Sequence, residues 1–100
     1  MGTKEKNLVY QLVDVCFTEV SDTYIEDEQV SKFEEFIADN FDLSKCTDKT
    51  IYLKNNWFDR QICDTIEVYF RTADYYEGEE QIIAYVVLDM TFHKEQTNDK

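Results

Sequence analysis

The sequence predicts an α+β fold: an antiparallel sheet of three to four strands with one or two helices packed on one face. Three observations support this. Val30, Phe33, Ile37 and Phe41 recur on one face of a helix spanning residues 27–41. Residues 65–72 and 81–93 alternate in the period-two manner of strands. Between them, Gly78 marks a turn, so the two runs read as a hairpin.

The elements follow in chain order. Residues 1–7 and 94–100 are polar and are expected to fray. Residues 8–20 stay open between helix and strand. Their apolar residues recur nearly every fourth position, as on a helix, while four valines and a threonine favour a strand. The helix at 27–41 can be capped by Thr23 with Glu26, or by Asp27. A polar loop over 42–49 leads to a short strand at 50–54. A connector over 55–61 carries Trp57 and Phe58, which are expected to fold back onto the core. In the first hairpin strand Ile66, Val68 and Phe70 alternate with Glu67, Tyr69 and Arg71. The second is apolar on both faces over most of its length, so it is a central strand, or one of its faces is covered by a helix or a second subunit.

One hundred residues with 43% hydrophobic and 15% aromatic content suit a single folded domain over residues 1–100. Ten basic and 22 acidic residues give a net charge of −12. That charge disfavours direct contact with nucleic acid or an anionic membrane and favours a basic protein surface. Cys16, Cys46 and Cys63 are too few and too irregularly spaced for a disulfide scaffold. They read as reduced, mostly buried thiols, and a cytoplasmic location follows. The sequence contains neither a signal-peptide pattern nor an apolar run of membrane-spanning length.

Catalytic vocabulary is sparse. His93 is the one histidine and the one candidate base for a serine or cysteine nucleophile. The glycines, Gly2 and Gly78, form no phosphate-cradling loop. The acids of 74–80 lack the alternation of a calcium loop, and no cysteine or histidine cluster has zinc spacing. Neither an enzyme nor a cofactor or metal site is expected.

The acids themselves form a pattern. At about 100° per residue, Glu28, Glu35, Asp39 and Asp42 fall within about 60° of one another, opposite Ile37, if the helix reaches Asp42. Lys32 lies within this stripe. The turn adds Asp74, Tyr75, Tyr76, Glu77, Glu79 and Glu80. A solvated acidic face needs no partner. Carboxylates recurring in two segments, with tyrosines among them, also suit a surface that mimics phosphates and occupies a basic groove. An immunity protein or antitoxin that neutralises a basic nuclease would use the same physics. A structural protein that assembles through its sheet would use the acids as solubilisers alone.

The order of features resembles a family. It runs from Phe33-Glu34-Glu35-Phe36-Ile37 through Trp57-Phe58 and Asp74-Tyr75-Tyr76 to Leu88-Asp89-Met90-Thr91-Phe92-His93-Lys94. This layout is similar to the small acidic anti-CRISPR proteins of archaeal rod-shaped viruses that act on type I-D interference complexes. The resemblance covers residues 13–94. It implies an α+β fold, a homodimer, and stoichiometric inhibition of a large effector subunit without catalytic residues.

Overall fold

A computed structural model describes residues 6–17 and 25–94. Strand β1 (Asn7–Phe17) is followed by helix α1 (Asp27–Asn40) and the short helix α2 (Leu43–Cys46). Strands β2 (Thr50–Lys54), β3 (Thr65–Glu77) and β4 (Gln81–His93) complete the chain. They form one four-stranded sheet in the order β1-β4-β3-β2. The α+β architecture is as expected, and β4 is central. The sheet is mixed, because β1 pairs parallel to β4 while the other pairings are antiparallel. Parallel pairing becomes possible because the helices carry the chain back across one face between β1 and β2.

Residues 7–17 therefore form a strand. Their misleading near-four period has a local cause, a bulge at Val13, where Leu12 pairs with Val86 and Asp14 with Val87. The extra residue resets the alternation. Leu8, Tyr10, Leu12, Val15 and Phe17 consequently share the helix-covered face with even-numbered β4 residues. A matching bulge interrupts β3 at Ala73, where Thr72 pairs with Val86 and Asp74 with Tyr85. Both bulges flank Val86, and in each the aspartate after the extra residue accepts the next backbone N–H at 2.8 Å.

The second bulge explains why the expected turn over 74–80 is too long. Asp74, Tyr75, Tyr76 and Glu77 continue β3, and only residues 78–80 connect the strands. Gly78 donates its N–H to the Gln81 carbonyl at 2.8 Å. Its φ is not positive, so it serves through close approach: an added Cβ would lie 3.2 Å from that same oxygen.

Helix α1 begins at Glu26, whose N–H is accepted by Gln29 Oε1 at 3.1 Å, the reverse half of a capping box. Asp27 is thus inside the first turn, and Thr23 lies outside the described residues. The helix stops at Asn40, two residues short of Asp42. Phe33 and Ile37 are fully buried against Ile66, Val68, Phe70, Val86 and Leu88. The 55–64 connector closes one end of this core. Phe58 is buried, and Trp57 packs edge-on to Phe33 with ring centroids 4.9 Å apart. Asn55 holds the loop in place. Its Oδ1 accepts from the N–H groups of Trp57 and Phe58, and its Nδ2 donates to the carbonyls of Phe58 and Cys63.

Lys6 and Asn7 at one end and Lys94 at the other, expected to fray, make defined contacts instead: an ion pair with Glu77, a place in β1, and a hydrogen bond to the Arg60 carbonyl. Of the cysteines only Cys63 is buried, and Cys16 is exposed, contrary to the expectation of mostly buried thiols. No helix among the described residues is long and apolar enough to cross a membrane.

Two substitutions check this packing. Phe33→Ala should cost about 3–5 kcal/mol by equilibrium denaturation, the range for a deleted buried aromatic. Asn55→Ala should cost about 1–3 kcal/mol, because the loop loses its internal hydrogen bonds while its carbonyls stay partly buried.

Candidate acidic interface

Glu28, Glu35 and Asp39 all lie on the exposed side of α1, away from Phe33 and Ile37. Successive members are separated along the axis by about 10 Å and about 6 Å at 1.5 Å per residue. Among the described residues none of the three forms an ion pair. The last turn of α1 contains no basic residue. Asp39 therefore stands at the negative end of the helix dipole, where a carboxylate is unfavourable and a lysine would stabilise. Asn40 relieves one orphan carbonyl by donating Nδ2 to Phe36 O at 2.8 Å.

Asp42 does not belong to this stripe in the expected way. It is the N-cap of α2, and its Oδ1 accepts from the Ser44 hydroxyl at 2.7 Å and the Ser44 N–H at 3.0 Å. The hydroxyl contact first, and the backbone contact second, hold the Asp42 carboxyl below its ordinary range. Asp42 is exposed, but its charge also fixes local structure. It sits beside Leu8 and Tyr10 in a shallow groove that continues past Ala38, Phe41 and Leu43.

The hairpin residues divide. Directly paired positions share a face, so Tyr75 and Glu77 lie with Ala84 and Ile82 on the helix side. Asp74 and Tyr76 lie with Tyr85 and Ile83 on the open side. The adjacent tyrosines, 59% and 58% exposed, thus present opposite surfaces and cannot form one patch. Glu77 is ion-paired with Lys6 at 2.7 Å across the end of β4, and this contact holds its carboxyl below the ordinary value. Glu79 and Glu80 lie exposed at the connection itself.

The surface therefore consists of the Glu28–Glu35–Asp39 stripe, then Asp42, then Tyr75 and the hairpin tip, all reachable from the helix side. Asp74 and Tyr76 belong to the other side. Sequence reasoning missed Lys6, which spends one of the hairpin acids. It also missed the apolar exposure along β1, where Leu8, Val9 and Val13 are 49%, 41% and 43% exposed. The signal was present as the charge-free run from Asn7 to Val13.

The catalytic candidates have structural settings. His93 Nε2 lies 2.8 Å from Glu67 Oε1 at the exposed end of β4. Cys63 is buried, and burial first, with the neighbouring Asp64 carboxylate second, pushes its thiol up to about 11. A thiol so raised is a poor nucleophile at neutral pH. Among the described residues no group of three or more His, Cys, Asp or Glu side chains is placed to hold a metal ion. On the open face Arg71 forms a two-point contact with Asp89, at 2.7 and 3.2 Å.

The chain is thus an α+β protein with an acidic helix exposed on one side. Comparison with known proteins adds no assignment: no family model, curated protein or solved structure matches it.

The cap at Asp42 is directly testable. In Ser44→Ala the Asp42 pKa should rise toward the ordinary aspartate value, read from carboxyl chemical shifts during NMR titration. Because the folded-state value is depressed, the contact stabilises above the unfolded-state pKa, and this stabilisation is lost as pH falls through the folded value. An unchanged Asp42 titration in the variant would place the cause of the shift elsewhere.

Proposed function

We propose that this protein is a non-enzymatic inhibitor that presents carboxylates to a basic, nucleic-acid-binding surface of a host defence complex, in the manner of anti-CRISPR nucleic-acid mimics. One observation carries the reading. The last turn of α1 carries Asp39 against the negative end of the dipole and no basic residue, where helix stability alone would place a cation. A helix that needed only solubility could gain it with Lys or Arg in that last turn. The axial separations of about 6 and 10 Å match about two and three phosphate steps at 3.4 Å per nucleotide on one strand. Glu79 and Glu80 extend the charge beyond the helix.

Such a surface associates quickly through long-range attraction, and its affinity falls with ionic strength. Glu77 and Asp42 contribute less, since each already has a partner within the chain. Tyr75 supplies rigid contact area next to the charges.

The test is capture of a basic nucleic-acid-binding protein from host lysate, followed by binding measurements with that purified partner. Binding should weaken at least tenfold between about 0.05 M and about 0.5 M salt, and nucleic acid should compete for the same site. Combined Glu35→Lys, Asp39→Lys and Glu79→Lys should abolish binding while leaving the circular dichroism spectrum unchanged. A partner that binds the triple variant as well as the parent would place the interface elsewhere.

A further inference from the structure

A shallow groove opens where the end of α1 meets the start of β1. Leu8 and Tyr10 of β1, Ala38 of α1, and Phe41 and Leu43 at the link to α2 line it, and Asp42 stands on its wall. Its volume is about 420 Å³. Leu8 is half-exposed here, while Tyr10, Phe41 and Leu43 rest partly on the core. The groove is thus an apolar margin of the core that the chain leaves uncovered. Ala38 keeps it open, because α1 places a single methyl group at this point.

The rim of this groove is acidic. At about 100° per residue, Glu34 lies about 40° to one side of Ala38 and Glu35 about 60° to the other, one turn earlier on α1. Asp39 follows Ala38 directly, and Asp42 lies beyond the end of the helix. Among the described residues Glu34, Glu35 and Asp39 form no ion pair. Two cations lie nearby. Lys45 of α2 acts on Asp42, and Lys6, which precedes β1, is held by Glu77.

We propose, resting on the function proposed above, that this groove receives a bulky apolar side chain from a basic segment of the protein partner, with lysines or arginines beside that side chain meeting Glu34, Glu35 and Asp42. The anchor is of the leucine or phenylalanine class. It packs on Leu8, Tyr10, Phe41 and Leu43 and completes the margin that Ala38 leaves open. The partner is thereby defined more narrowly than as a basic surface: its contact segment joins cations to an apolar residue.

Charge selects this occupant. The acidic rim repels nucleic acid, anionic lipid and a second copy of a chain whose net charge is −12. An uncharged apolar segment would desolvate the rim carboxylates without pairing them. A basic segment without an apolar residue would leave the groove filled with water. The two kinds of contact have different consequences. Charge sets the association rate and the salt dependence, whereas a buried anchor supplies specificity and slows dissociation. Carboxylates alone accept many basic surfaces, and the groove restricts that choice.

Two synthetic peptides of equal charge test this on the full chain. One carries arginines and lysines around a central Leu-Phe pair, and the other has Ser-Ser in place of that pair. In NMR titrations the Leu-Phe peptide should bind at least tenfold more tightly and shift the backbone amides of Leu8, Tyr10 and Leu43. Its advantage should persist at about 0.5 M salt, where the charge contribution common to both peptides is screened. Ala38→Trp fills the groove from an exposed helix position. It should lower the affinity of the Leu-Phe peptide to that of the Ser-Ser peptide, with an unchanged unfolding midpoint. Leu8→Gln should weaken the Leu-Phe peptide in the same selective way from the β1 wall. Equal affinity of the two peptides, weakened alike by Glu35→Lys, would overturn the groove and leave the acidic-face reading standing. Absence of Leu-Phe peptide binding at about 1 mM would also overturn it.

Discussion

The structure depends on burying the helix-covered face of β4 at the centre of the sheet. On one side Ala84, Val86, Leu88 and Met90 are buried, and on the other Val87 is buried between neighbouring strands. A strand so apolar must have a partner on each edge and a cover on its more apolar face. β1 and β3 supply the edges, and α1 supplies the cover through Phe33 and Ile37. The aromatic contacts of Phe33 with Trp57 and of Phe58 with Phe92 extend that cover to the end of the hairpin.

The cover is shorter than what it covers. Fourteen helical residues span about 21 Å, whereas thirteen residues of β3 or β4 span about 44 Å. The hairpin end therefore projects beyond α1, and Tyr75 and Tyr76 are exposed on its two sides.

Electrostatics divides the acids into those that serve the fold and those that do not. Asp42 caps α2, Glu77 pairs with Lys6, Asp89 pairs with Arg71, and Glu67 lies against His93. Exposed pairs of this kind are screened by solvent, so they set geometry more than stability. Glu28, Glu35, Asp39, Glu79 and Glu80 have no such role among the described residues. Their repulsion is a cost to the isolated chain, and a basic partner would relieve it.

The sequence by itself determined the α+β class, the buried face of α1 and the alternation of β3 up to Thr72. Each rests on a period that runs unbroken through its element. Tertiary structure decided what broken periods concealed. Two bulges shift the alternation by one residue, at Val13 and Ala73, and so hid the strand at residues 7–17 and the last third of β3. The acidic stripe was legible because helical spacing alone places Glu28, Glu35 and Asp39 together. The division of Tyr75 from Tyr76, the loss of Glu77 to Lys6 and the parallel placement of β1 were not legible. They depend on which strands become neighbours, and neighbours are chosen by how the whole chain covers β4 rather than by any local pattern.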